Sequence, residues 1–229
     1  MTTYALVHGA WHGGWCWDLL AKELEGRGHR AVAMDLPCDD PKAGTNEYAD
    51  AVLAALDGVD DDDVVLVGHS MAGLTIPVVA MRRPVRKQVY LCALIREPGR
   101  SMADRAEANA DMSPAEFNQA AVGNADGTIS MPAEAAARFF YHDCTAEQSA
   151  WAASMIRRQG GAIWGEVAPY TEWPDTEYEY ILCRGDRVMQ PAWSRREAQA
   201  LLGRTPIELE GSHSPMVSRP AELADLLTR

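Results

Sequence analysis

Residues 64–73 read VVLVGHSMAG. Val64 to Val67 are aliphatic with no polar alternation, the pattern of a strand buried on both faces. The residues after the turn predict a helix over 71–81, with Pro77 bending it. Ser70 therefore sits on a tight strand-to-helix turn. Gly68-His69-Ser70-Met71-Ala72-Gly73 is read as the G-x-S-x-G turn, with Ala72 at the place of the second glycine and Gly73 one residue later. Such a turn strains the serine and lifts its hydroxyl clear of the sheet. The start of the following helix adds unpaired N–H groups beside the reacting carbonyl. The chemistry this suggests is nucleophilic attack by Ser70.

A serine hydroxyl is a weak nucleophile at neutral pH and needs a base. Six histidines are available. In an open parallel sheet, reacting groups gather at the carboxyl ends of strands. His213, in Gly211-Ser212-His213-Ser214-Pro215, follows the last predicted strand and meets that condition. His29 precedes a strand, at the other end of the sheet. His69 lies inside the turn, where it is expected to point away from the reacting side. His142 lies in a helical region without a fixed scaffold. His8 and His12 fall in a glycine-rich turn and are read as packing residues. The base needs a carboxylate to hold its tautomer. Asp186 supplies one, directly after a strand that ends at Cys183. The chain order Ser70, Asp186, His213 is that of one of the three known orders of this triad.

Two N–H donors are needed for the developing oxyanion. Met71 follows the nucleophile. The second donor is expected in the loop after the first strand, and Ala10 N–H is selected there, with Gly9 freeing the turn.

Outward from these residues, short apolar strands alternate with helices. Strands are predicted at residues 4–8, 31–34, 64–68, 89–92, 179–183 and 205–209, and helices at 15–25, 47–56, 71–81, 192–202 and 221–228. The pattern predicts an α/β, doubly wound, mostly parallel six-stranded sheet. Residues 95–176 interrupt it. They are rich in Ala, Met, Glu and aromatics and predict several short helices, with Ser113 and Thr145 as N-caps. The expected organisation is a core of residues 1–94 and 177–229 with a helical cap inserted at 95–176. Phe139, Phe140, Trp151, Met155 and Trp164 of the cap are expected to line an apolar pocket, which suits a small hydrophobic acyl or alkyl group.

The chain has 229 residues, enough for one large domain. Its net charge of -12 argues against nucleic acid and against an anionic membrane surface. The acidic run at residues 60–63 reads as a solvated loop and lacks the spacing of a calcium-binding EF-hand. Five cysteines, an odd number without C-x-x-C spacing, read as free thiols in a reducing compartment. The first residues show neither a basic segment nor a long apolar run, and no window approaches the roughly 18 apolar residues of a membrane helix. The expected location is cytoplasmic.

VHGAWHGGWCW (7–17), MDLP (34–37), VGHSMAG (67–73), YILCRGDRV (180–188) and EGSHSPM (210–216) together resemble one family. It is the branch of the α/β-hydrolases that holds salicylate-binding methyl esterases and hydroxynitrile lyases. The resemblance covers residues 1–97 and 178–229. It implies the α/β-hydrolase fold and hydrolysis of small carboxylic esters through an acyl-enzyme, with no cofactor and no metal. A homodimer is the assembly it implies. Lyase members carry a threonine in the first turn and a lysine directly after the triad histidine. Gly9 and Ser214 stand at those positions here. Two other readings stay open at the level of sequence: a carbon–carbon lyase, or peroxidase-like enzyme, on the same triad, and a non-catalytic small-molecule receptor. Dehalogenases and epoxide hydrolases of this fold use an aspartate at the turn, which Ser70 disfavours.

Overall fold

In the computed structural model, which describes residues 1–59 and 63–229, strand β3 runs Val64–His69 with every residue buried. Successive side chains of a strand point to opposite faces, so burial along its whole length means that both faces of the sheet are covered. Strand β1, Thr3–Val7, is buried in the same way. Strands β2 (Arg30–Ala33), β4 (Lys87–Leu91), β8 (Glu177–Cys183) and β9 (Ile207–Leu209) complete a six-stranded sheet of order β2-β1-β3-β4-β8-β9. All five pairings are parallel. The strand order reverses between β1 and β3, so a crevice opens beyond their carboxyl ends. Ser70 follows β3 and Gly9 follows β1 at that crevice.

Several of the helices pack in pairs. Helix α1 (Asp18–Gly26) packs on α9 (Pro215–Ser218) and α10 (Pro220–Leu227), and α2 (Thr45–Ala55) packs on α3 (Ile76–Arg82). The Tyr4 hydroxyl donates to the Leu227 carbonyl at 2.8 Å and ties β1 to α10. The helix predicted over 71–81 is two pieces. A 3-10 turn covers Ser70–Leu74, and α3 begins at Ile76 with Pro77 in its first turn. A proline there costs no hydrogen bond, because the first N–H groups of a helix have no partner within it. Pro77 thus opens a helix and does not bend one. The helix predicted over 192–202 is α8 (Pro191–Glu197) followed by a wider turn that ends at Gly203.

Between β4 and β8 the chain builds more than short helices. Helices α4 (Ala115–Ala120), α5 (Ala133–Phe139), α6 (Ala146–Met155) and α7 (Ala162–Gly165) are joined by a small antiparallel sheet. Its strands are β5 (Val122–Gly123), β6 (Thr128–Ser130) and β7 (Gln159–Gly160). The hairpin turn carries its own signal, Asn124-Ala125-Asp126-Gly127, in which the Asp126 carboxylate accepts from Thr128 N–H at 3.0 Å. Thr145 caps α6 as expected, with Gln148 completing the reciprocal pair. Ser113 caps nothing, because α4 starts after Pro114.

The excursion is tied down near both ends. Arg96, almost wholly buried, donates to Thr45 Oγ1 at 2.8 Å and to the Glu166 carbonyl at 3.2 Å. The Glu166 carboxylate accepts from Thr45 N–H at 2.8 Å and so caps α2. Residues 60–62 of the acidic run lie outside the described residues. Asp63, which follows them, pairs with Arg86 at 2.7 Å. Among the described residues no helix is long and apolar enough to cross a membrane. The cysteines are all unpaired.

One glycine sets how closely the turn after β3 packs. A Cβ at Gly73 would overlap the Leu94 carbonyl oxygen, which is backbone and cannot swing away. Gly73→Ala is expected to cost about 1–3 kcal/mol, the usual size of an overpacking defect. For a chain of this length that lowers Tm by roughly 2–12 °C, read by thermal unfolding of the purified variant.

Candidate active site

Ser70 takes a left-handed backbone conformation, with φ +53°. That region is unfavourable for a residue with a Cβ and is held here from several sides. The Leu94 N–H donates to the Ser70 carbonyl at 3.0 Å. Gly9 presses against the serine so closely that a Cβ on Gly9 would lie 2.7 Å from the Ser70 Cβ. The serine side chain stays partly exposed while the residues after it are buried.

Asp186 and His213 stand in the loops after β8 and β9, and both are buried. The His213 Nδ1 lies 2.8 Å from Asp186 Oδ2. The other carboxylate oxygen accepts from the N–H groups of Val188 and Met189, at 2.7 and 2.9 Å. Three bonds fix the carboxylate, and the carboxylate fixes the imidazole with Nε2 as the free nitrogen. His69 lies against His213, with ring centroids 4.7 Å apart. Its Nε2–H donates to the His213 carbonyl at 2.8 Å. The residue before the serine thus holds the backbone of the histidine. Among the described residues no hydrogen bond joins Ser70 Oγ to His213. Such contacts often tighten only when substrate is bound.

The glycine-rich turn after β1 is more ordered than its composition suggests. The Gly9 carbonyl accepts from His8 Nδ1–H at 2.8 Å and from His12 N–H at 3.3 Å. The Ala10 carbonyl accepts from His12 Nδ1–H at 2.8 Å. Since a trans peptide carries its C=O and N–H on opposite sides, pinning the Gly9 carbonyl directs Ala10 N–H the other way. His8 and His12 are packing residues, as expected, and their packing orients this peptide. Burial pushes the His8 pKa down to about 4 and that of His12 to about 3, and lowers His69 well below the ordinary range.

A cavity of about 220 Å³ opens beside Ser70 and Ala10. Its walls are chiefly Trp11, Leu94, Phe117, Ile129, Trp164 and Met189, with Ser113 and Asn118 as polar points. Among the described residues no charged side chain lines it. Of the five residues expected to form a pocket, only Trp164 does so. Phe140 is buried behind the wall, stacked on Trp11 at 5.9 Å and close to His213. Phe139 packs on Phe117 from outside and lies under the Arg138 guanidinium. Trp151 and Met155 are on the exposed side of α6, where Trp151 packs edge-on against Trp15. Aromatic content does not reveal which side of a short helix turns inward. Trp11, Val188 and Met189 were within reach of sequence reasoning, since they follow directly on residues placed at strand ends. His142 does not reach the cavity, and its Nε2 meets the Gly185 carbonyl at 2.9 Å.

Cys92, Asp186 and His213 bring one ligand-type atom each within 4.8 Å of one another. They fit a metal poorly. Burial pushes the Cys92 thiol up, towards the form that binds metals weakly, and Asp186 and His213 are already bonded to each other.

Residues 5–226 match the family described as "Alpha/beta hydrolase family". The chain belongs to this family. The α/β hydrolase is 28% identical to the esterase PIR7B of Oryza sativa subsp. japonica over 99% of this chain and 94% of that protein. It is 39% identical to a carbendazim hydrolyzing esterase of Nocardioides sp. (strain SG-4G), a match that spans 44% of this chain and 46% of that protein. Methylesterases and an alpha-hydroxynitrile lyase of Arabidopsis thaliana match as well, which is the branch the motifs resemble. The crystal structure of polyneuridine aldehyde esterase has the same fold, with TM-score 0.84 at 21% identity over 100% of this chain and 98% of that one.

Three buried histidines with lowered pKa values make stability depend on pH. In the unfolded chain each titrates near 6.5, so below that pH the unfolded state binds more protons than the folded one. Stability is therefore expected to be level above about pH 7 and to fall from about 6.5 towards 4. Each histidine steepens the fall by at most about 1.4 kcal/mol per pH unit. Urea midpoints measured from pH 7.5 to 4.5 test this, and His12→Asn should shallow the slope by about one proton.

Proposed function

We propose that this α/β hydrolase cleaves a small, uncharged carboxylic ester through an acyl-enzyme, with Ser70 as nucleophile, His213 as base and Asp186 as the group that orients the base. The observation that carries the proposal is the buried 2.8 Å contact between Asp186 and His213, beside a strained Ser70 that opens into an apolar cavity. The coarse class is that of an esterase-type hydrolase, in keeping with its esterase and methylesterase relatives.

Ser70 Oγ attacks the ester carbonyl while His213 Nε2 takes its proton. Asp186 holds the imidazole and stabilises the cation that forms. The N–H groups of Ala10 and Met71 receive the oxyanion, and fixed donors of this kind are typically worth about 3–4 kcal/mol each. His213 then protonates the leaving alcohol, and later draws a proton from the water that frees the acid. Residues 95–176 act as a cap that supplies most of the cavity wall, over a core of residues 1–94 and 177–229.

Cavity size limits the substrate. An apolar cavity of roughly 150 Å³ accepts benzene, and this one measures about 220 Å³. The group it holds is close to one ring, or a short branched chain. With no cation among the described residues of the wall, a carboxylate or phosphate on that group would be buried unpaired. A cytoplasmic location rests on the five free thiols, and a homodimer on the resemblance.

Ser70→Ala is expected to lower kcat/KM for a p-nitrophenyl ester by roughly four to six orders of magnitude, and Asp186→Asn by about four. A fluorophosphonate should label Ser70 in the wild type. Rates across acyl chain lengths should drop once the acyl group exceeds one ring in size. Near wild-type turnover by Ser70→Ala would end the assignment. Cyanide release from mandelonitrile without ester turnover would point to a lyase, and a ligand-induced thermal shift with no product would point to a receptor.

A further inference from the structure

Four of the six residues that join α5 to α6, Phe140-Tyr141-His142-Asp143, touch three separate loops. The Ser212 Oγ–H donates to the Phe140 carbonyl at 2.8 Å, and Ser212 N–H donates to Asp143 Oδ2 at 3.0 Å. The Tyr141 hydroxyl donates to His12 Nε2 at 2.9 Å. Nε2 is the accepting nitrogen there because His12 Nδ1 carries the proton given to the Ala10 carbonyl. His142 Nε2–H donates to the Gly185 carbonyl at 2.9 Å. Ser212, Gly185 and His12 adjoin the base, the acid and the oxyanion turn in turn.

These loops leave strands that are not all neighbours. In the sheet, β3 and β4 separate β1 from β8. The sheet spaces the strand ends, but it does not orient the loops beyond them. The joining run is itself held at both ends. Phe140 N–H closes the last turn of α5 on the Ala136 carbonyl, and Thr145 caps α6. Gln148 of α6 also reaches the Val217 carbonyl at 3.4 Å. The Phe140 ring lies between Trp11 and His213, with centroids 5.9 Å from each. Arg219 approaches Asp143 Oδ2 at 3.7 Å from the side of the base loop.

We propose that residues 140–143 are a positioning element that sets the oxyanion turn, the acid loop and the base loop relative to one another. The proposal rests on the Ser-His-Asp reading given above. Among the described residues no hydrogen bond joins any of the four to the side chains of Ser70, Asp186 or His213. They act through Ser212 on His213, through Gly185 on Asp186, and through His12 on the Ala10 peptide. A displacement of about 1 Å in such a constellation can cost about 10²-fold in rate, so weak-looking polar contacts in this run have a large lever.

The test uses the full chain and five variants: Tyr141→Phe, His142→Ala, His142→Gln, Asp143→Ala and Asp143→Asn. Gln restores an N–H donor at similar reach, and Asn restores an oxygen acceptor. For each, kcat and KM on a p-nitrophenyl ester, the rate of fluorophosphonate labelling at Ser70, and Tm are measured. His142→Ala and Asp143→Ala should lower kcat by about ten- to a hundred-fold, with KM within about threefold. Labelling should slow in parallel. Tyr141→Phe should lower kcat by about three- to tenfold, since its contact acts through one further bond. The Gln and Asn variants should return to within about fivefold of wild type even where Tm stays lowered. If the alanine variants label Ser70 at the wild-type rate, the proposal is overturned. It is equally overturned if losses follow Tm across all five variants with no rescue. A wild type that does not label at Ser70 overturns the triad reading, and this proposal with it.

Discussion

A serine held at φ +53° is the constraint on which the rest of the site depends. Left alone, such a residue would relax, since the conformation costs on the order of 1–3 kcal/mol. It persists because the backbone around it has nowhere to go. Leu94 N–H holds the serine carbonyl, Gly9 fills the space against its Cβ, and Gly73 lets the following turn close onto Leu94. Each neighbour belongs to a different strand end, so the whole β1-β3-β4 centre of the sheet keeps the turn in place. The strain is met where the chain leaves three central strands, beside the cavity itself.

The central sheet was legible because a doubly covered parallel strand leaves a plain trace: four to six apolar residues with no alternation. Val64 to Val67 and Tyr180 to Cys183 carry it, and both sit in the strands they predict. Strand ends were off by one or two residues, where the last backbone bonds depend on the neighbouring strand. The small sheet of β5, β6 and β7 was missed because strands of two or three residues have no periodicity to read. Its turn, Asn124 to Gly127, was the available signal. Pro77 was misplaced because proline at a helix start and proline inside a helix look alike until the preceding turn is known to be 3-10.

The site divided along the same line. Ser70, Asp186 and His213 could be placed at strand ends because each follows a strand closely in the sequence, and the fold brings strand ends together. The cavity wall could not, because it depends on which side of a short helix faces inward. Phe140 and Trp151 differ little in chemistry, yet one is buried behind His213 and the other is exposed on α6. The buried histidines show a further gap. His8, His12 and His69 act through carbonyls of neighbouring residues, and a role exercised on the backbone leaves no motif.

Val188 and Met189 have two duties. Their N–H groups hold the Asp186 carboxylate, and their side chains form part of the cavity wall. An insertion or a bulky change on that side would move Asp186 as it reshaped the chamber. On the opposite side, Phe117 packs on Trp11 and Phe140, and the Ile129 carbonyl accepts from Trp11 Nε1–H at 3.0 Å, so both stand one residue further from Ser70, Asp186 and His213. Drift in what the chamber admits is therefore open to α4 and the β5–β6 hairpin and closed to the loop after β8. Lineages that diverge in preferred acid or alcohol should carry their differences in that one quarter of the wall.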